Sequence, residues 1–261
     1  MPRHRRALLA LALIPALAAA AFLFAQRGET DERASGLDRE AVGEIVRDYI
    51  LKNPEILLEA QQELAKREND RVESRRAAAL RQYKDVLETT DKHAVLGNPR
   101  GDVTLVEFFD YNCSFCRKAA KDLDALIAAD PNLRVVLMEW PVIRQESLGA
   151  AQVSVAVSRT APDKFRVFHE RLFAGDSIAT KGRALAVAKD LGLDQKAIEA
   201  AAAGPDVEAT LLEVRALADG LGIEATPTYV IGDSVMPNTR TVVDDLQTRI
   251  AAVRQCGKAS C

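Results

Sequence analysis

Two cysteines three positions apart, Cys113-Ser114-Phe115-Cys116, are the residues of this chain best suited to chemistry. A thiolate attacks disulfides, and a second thiol nearby can resolve the mixed disulfide that results. The same pair would also fit a structural disulfide or half of a zinc site. Zinc needs further ligands, yet there is no second Cys-x-x-Cys, and His4, His93 and His169 fall at no zinc-ligand spacing, so no metal and no cofactor are expected. The surroundings favour redox chemistry. Val103 to Phe109 reads as a buried strand, and a helix is predicted from Cys113 to about Ala129, with Asn112 as its cap. Unpaired N–H groups and the dipole of the first turn would favour a Cys113 thiolate by at most about 2 kcal/mol, or roughly 1.5 pKa units. Cys116 would lie on the same side but deeper. An exposed nucleophile with a resolving thiol behind it is something a structural pair does not need.

The elements that must position this pair occupy only part of the 261 residues. Residues 1–25 read as an export signal, with a basic start at Arg3, Arg5 and Arg6 and an apolar run from Ala7 to Ala25. Two fates fit it: cleavage near Ala19-Ala20-Ala21, or retention as an anchor, since the run is about long enough to span a bilayer. Either way the remainder is expected to face an oxidising compartment. A net charge of −3 and 5% aromatic residues give no footing for a nucleic-acid partner.

A polar linker from about Gln26 to Gly36 leads to Val42, Ile45, Val46, Tyr49 and Ile50, an apolar stripe on one helix face. Asn53-Pro54 interrupts it, and a second helical stretch carries Leu57, Leu58, Leu64 and Ala65. Between Lys66 and Arg76 only Val72 is apolar, so that part is expected to be a solvated spacer before Ala77 to Leu87 turns helix-prone again. Residues 26–90 thus read as a helical region with a charged linker helix, and its stripe favours self-association. From about 91 to 255 the order is strand (103–109), helix, strand (133–138), a block of helices near 146–160, 162–173, 181–191, 194–203 and 206–221, strand (228–231) and a helix over about 241–254. This is an α/β sheet with a helical insertion.

Val106-Glu107-Phe108-Phe109-Asp110-Tyr111-Asn112-Cys113-Ser114-Phe115-Cys116, with Ala225-Thr226-Pro227-Thr228-Tyr229-Val230-Ile231-Gly232, resembles the DsbA family of thioredoxin-fold proteins. Val46-Arg47-Asp48-Tyr49-Ile50-Leu51-Lys52-Asn53-Pro54-Glu55-Ile56 resembles the appended region of suppressor-of-copper-sensitivity C proteins within that family. The resemblance implies a thioredoxin fold with a helical insertion (DsbA-like), a cis-proline loop at Thr226-Pro227 that holds substrate backbone, and a buried acid at Glu107 beneath the cysteines. It also implies a periplasmic homotrimer acting as a disulfide isomerase on misoxidised or copper-oxidised exported proteins. Such an isomerase is kept reduced by a membrane thiol reductase of the DsbD or suppressor-of-copper-sensitivity B type. Ser114-Phe115 lacks the histidine that stabilises the thiolate in the strongest oxidants of the family. An oxidase that donates its disulfide is the alternative within the class.

Residues 256–261, Cys256-Gly257-Lys258-Ala259-Ser260-Cys261, form a tail whose glycine permits a small-loop disulfide. Two thiols could instead relay electrons or bind Cu(I), for which thiolates are suitably soft ligands. A copper-binding or copper-relay protein is therefore the alternative from another class, against which stands the scarcity of methionine: three residues, including the first.

Overall fold

The computed structural model describes residues 38–88, 91–175, 177–237 and 243–261. The expected signal or anchor at 1–25 and the linker to Gly36 lie outside them. Contacts divide the chain into two units, Met1–Glu68 and Asn69–Cys261.

In the first unit α1 spans Arg39–Lys52. The Asp38 carboxylate accepts from Glu40 N (3.3 Å), and Lys52 in the last turn pairs with Asp48 (2.8 Å). The Asn53 side chain donates to Tyr49 O and closes the helix, as Pro54 requires. Val42, Ile45, Val46, Tyr49 and Leu51 are all exposed, and α1 buries no residue. The next helix, α2, is one continuous element, Glu55–Glu88, with Leu57, Leu58 and Leu64 exposed in the first unit.

The second unit begins inside α2, at Asn69 rather than near residue 91. The physical reason is a stripe that the charged composition obscured. Ala79, Leu80, Tyr83, Val86 and Leu87 recur at helical spacing, and Leu80 and Leu87 are buried in a core layer. Gly220 lets the Tyr83 ring approach; a Cβ there would lie 2.6 Å from a ring carbon. Arg76 Nε donates to Leu221 O (3.3 Å). The helix-prone stretch that follows the expected spacer, Ala77 to Leu87, is thus a core element.

Five strands, β1 (Ala94–Gly97), β2 (Val103–Phe109), β3 (Leu133–Glu139), β4 (Thr228–Ile231) and β5 (Ser234–Pro237), form a sheet in the order β1-β3-β2-β4-β5. Only β2 and β3 are parallel, joined through α3 (Ser114–Ala129). Five helices, α4 (Gln145–Thr160), α5 (Pro162–Phe173), α6 (Lys181–Asp190), α7 (Gln195–Ala202) and α8 (Pro205–Leu221), intervene before β4, and α9 (Val243–Cys256) follows β5. This is the thioredoxin arrangement with a helical insertion. Strands β1 and β5 were not anticipated from the sequence; each has four residues and no pattern of its own. Leu105, Phe109, Leu137, Tyr229 and Ile231 face one core layer, and Val106, Phe108, Val136, Met138 and Val230 face the other. With both faces covered, the strands read as apolar runs.

Cys256 and Cys261 are joined by a disulfide. Ala259, between them, is buried in the core, and its N–H donates to Asp233 Oδ1 (2.8 Å). The turn carrying Asp233 follows Ile231, which pairs with Leu105 near the start of β2, so this disulfide lies at the end of the sheet opposite Cys113. Replacing both cysteines by serine should cost about 2 kcal/mol, the loop-closure contribution of so short a ring, with thiol exchange at Cys113 unchanged. Urea unfolding beside an exchange assay checks this, and a loss of exchange at undiminished stability would contradict it.

Candidate active site

The turn between β2 and α3 is tied down by one carboxylate. Asp110 is buried and accepts from Asn112 N (2.7 Å), Val142 N (2.8 Å), Ile143 N (2.9 Å) and Ser147 Oγ (2.8 Å). It binds the loop after β3 to the turn that carries the cysteines. Asn112 does not cap the helix. Its amide donates to Ser147 Oγ and Ala179 O and accepts from Ala179 N, anchoring the insertion to the turn. The cap is Cys113 itself, whose sulfur accepts from Cys116 N at 3.3 Å.

That position explains the electrostatics of the pair. A hydrogen bond from the Cys116 thiol, joined by the Cys116 and Phe115 N–H groups, lowers the Cys113 thiol to about 6 against the opposing effect of burial. In its protonated form Cys113 donates to Thr226 O (3.2 Å). Cys113, expected to be exposed, is itself buried with 5% of its surface accessible, because it sits between the helix start and the Thr226 carbonyl. Cys116 is buried further, at 1%. Burial, the hydrogen bond it gives to Cys113 and the charges of Glu107 and Cys113 push its thiol far above the ordinary range. The site therefore holds one thiolate and one retained proton.

Glu107 is buried on β2, and desolvation together with the Cys113 charge raises its carboxyl well above the usual carboxylate range. Its Oε1 has no hydrogen-bond partner. The Thr226–Pro227 peptide is cis, and Thr228 Oγ1 donating to Ala225 O (2.7 Å) folds the loop so that the Thr226 carbonyl meets Cys113. Glu107, Cys113, Cys116, Thr226 and Pro227 are thus gathered at one end of the sheet, whereas Cys256 and Cys261 are not. Phe115, Val142, Ile143 and Leu148 are exposed apolar residues on the cysteine helix, the tethered loop and α4.

Sequence reasoning missed a buried polar group behind the acid. Glu139 at the end of β3 is buried like Glu107; burial and the charge of Asp110 raise its carboxyl, against a hydrogen bond from Ser154. The Tyr111 hydroxyl lies 2.8 Å from Ser154 Oγ and 2.9 Å from His169 Nδ1. Glu107 was singled out by the family resemblance, whereas Glu139, the last residue of β3, falls one position past the strand expected over 133–138.

Known proteins share the fold. The DSBA-like thioredoxin domain family matches residues 104–251, and the copper resistance protein ScsC N-terminal domain matches 38–71. No curated protein matches the sequence. Among solved structures, a thioredoxin-like oxidoreductase from Silicibacter pomeroyi is 36% identical over 66% of this chain and 98% of its own, with a TM-score of 0.62. Proteus mirabilis ScsC in a compact conformation is 27% identical over 76% and 97%, with a TM-score of 0.57. Salmonella enterica Typhimurium BcfH is 25% identical over 88% and 99%, with a TM-score of 0.69. With more than half of its length matched and the cysteine pair set at the head of α3, the chain belongs to the DSBA-like thioredoxin family of thiol–disulfide oxidoreductases, preceded by an N-terminal domain of the ScsC type.

Proposed function

We propose that this oxidoreductase works in the periplasm as a disulfide isomerase on misoxidised exported proteins, with Cys113 as nucleophile and Cys116 as the slower resolving thiol. The observation that carries this is the difference between the two sulfurs. At pH 7 Cys113 is mostly thiolate, whereas Cys116 keeps its proton. Cys113 attacks a substrate disulfide, forms a mixed disulfide and expels a substrate thiolate. Because Cys113 is also a good leaving group, a different thiolate of the substrate can attack the substrate sulfur of the mixed disulfide, forming a new pairing and expelling Cys113 before Cys116 loses its proton. Such timing suits rearrangement. The exposed stripe of α1 supports a homotrimer, in which several sites act on one substrate, and an exported isomerase requires a membrane thiol reductase to keep Cys113 reduced.

A second reading has its own support. A depressed thiol stabilises the reduced form and makes the disulfide form oxidising, which favours a dithiol oxidase. One assay separates the two. Pre-reduced protein is expected to restore activity to scrambled-disulfide ribonuclease, and a variant with Ile45→Lys and Tyr49→Lys, which breaks the α1 stripe, is expected to reduce small disulfides normally while losing most of that restoration. No restoration, with rapid oxidation of reduced ribonuclease by the disulfide form, would establish the oxidase instead.

A further inference from the structure

We infer that Glu139 is a positioning residue of the exchange site: it yields its proton before Glu107 and, by its charge, keeps Glu107 protonated for Cys116. The inference rests on the exchange reading and concerns the acid behind the cysteines.

Geometry places the two acids together. In the β2–β3 register Glu107 pairs with Leu137 and Phe109 with Glu139. Glu107 and Glu139 therefore point to the same face from adjacent strands, two positions apart. Both are buried, so two charges there are far costlier than one.

Their hydrogen bonds are unequal. Glu107 Oε1 has no partner, whereas Glu139 is bonded by Ser154, which continues to Tyr111 and His169. His169 is fully buried and held neutral, and its Nε2 has no partner. The cheaper tautomer leaves a lone pair unpaired there rather than an N–H. Nδ1–H then donates to the Tyr111 oxygen, Tyr111 donates to Ser154 and Ser154 donates to Glu139. Every hydrogen in the chain points toward Glu139, which favours its anion.

The other groups around the pair were weighed as well. Cys113 and Cys116 on α3 and Tyr229, in register on β4, face Glu107. Asp110 faces Glu139, but four donors share its charge. Ser154 therefore gives Glu139 a donor that stabilises its anion, whereas Glu107 Oε1 has none.

The consequence falls on one step. When a substrate thiolate attacks Cys113 of the Cys113–Cys116 disulfide, a bond forms between the substrate sulfur and Cys113 and the intramolecular S–S bond breaks. Its electron pair leaves on Cys116, and the proton of Glu107 passes to that sulfur. In the reverse step Glu107, as carboxylate, takes the proton back, and the neighbouring Glu139 charge strengthens it as a base.

The test is the rate at which a small thiol reduces the disulfide form, expressed per thiolate, from pH 5.5 to 9. Wild type should hold its rate until Glu107 ionises at alkaline pH. Glu139→Gln still accepts from Ser154 but carries no charge; its alkaline fall should begin at least one unit lower, leaving a rate about tenfold below wild type near pH 8 and equal at pH 5.5. Glu107→Gln should abolish the fall, and adding Glu139→Gln to it should change nothing further. A Glu139→Gln profile parallel to wild type, or lowered equally at every pH, overturns the inference. Should that variant fold poorly, the infrared carbonyl stretch of a protonated carboxyl at pH 8, present in wild type and missing in Glu107→Gln, decides the matter, and its absence from wild type refutes it. A wild-type protein that exchanges no disulfides would refute the exchange reading instead, so the two failures remain distinct.

Discussion

Cys113→Ser is expected to lower thiol–disulfide exchange by on the order of 10³-fold or more, while Cys116→Ser still attacks but halts at the mixed disulfide. The asymmetry of the site requires both results. Cys116 cannot stand in for Cys113, because its thiol is held protonated by burial, by the hydrogen bond it gives to Cys113 and by the acid beneath it. Serine at 113 is no nucleophile near neutral pH. Serine at 116 leaves Cys113 able to attack but without its resolving partner, so covalent adducts with substrate should accumulate and be separable by non-reducing electrophoresis. Substantial turnover by Cys113→Ser would refute the assignment.

The depressed thiol matters less for attack than its thiolate fraction suggests. At a pKa of about 6 roughly nine-tenths of Cys113 is thiolate at pH 7, against about 1% for an ordinary cysteine near 9. That is close to a ninetyfold gain. Nucleophilicity falls with basicity, however, with a Brønsted slope of about 0.4–0.5, and three units cost roughly 20-fold. Only a few-fold advantage in attack remains. The greater benefit lies in departure, since a less basic sulfur leaves faster, and departure governs how soon a substrate is released to rearrange. Cys116→Ala would also remove the side-chain donor that contributes most to the depression of Cys113. Alkylation of its Cys113 should therefore rise with pH through a value above 6.

The centre of the site was legible in the residues because its signals are local. An apolar run, a turn, Cys-x-x-Cys and a helix pattern occupy a single stretch, whereas the Thr226-Pro227 loop, far away in the chain, is expected from the family resemblance alone. What escaped depends on tertiary placement. Cys113 rather than Asn112 caps α3, because Asn112 is drawn into hydrogen bonds with Ala179 and Ser147 from distant elements. Tyr111, Glu139, Ser154 and His169 come from a turn, a strand and two helices, and only the packing of α4 and α5 on the sheet unites them. The alternation that hid the core stripe of α2 is similar: its apolar residues are diluted by arginine and lysine on the outer face, and composition averaged over the helix conceals them.

His169 supplies the other large effect, on stability in acid. Phe109, Tyr111, Phe165 and Phe173 surround its ring, with centroids 4.9–5.7 Å away, and desolvation lowers its pKa to about 3. In the unfolded chain a histidine titrates near 6.5. Between these values the unfolded state binds a proton that the native state refuses, so the contribution is intact above about pH 6.5 and declines as pH falls toward 3. At pH 4 the loss is about 3 kcal/mol. Glu107 and Glu139 act in the opposite sense. Their folded pKa values are raised, so they favour the native state fully below the unfolded value near 4.3 and lose that contribution as pH rises through the folded ones. At pH 4 both are protonated in the native state, whichever side chain stands at 169. At pH 7.5 losing the His169 donor weakens the Glu139 anion, which adds to the predicted difference rather than offsetting it. His169→Phe retains an aromatic side chain among aromatic neighbours and leaves Tyr111 bonded to Ser154. Whatever it costs at pH 7.5, its stability measured by urea unfolding should fall about 3 kcal/mol less than wild type between pH 7.5 and 4. Parallel curves for the two proteins would mean that the buried imidazole accepts its proton without unfolding, and that the aromatic cage is more yielding than its packing implies.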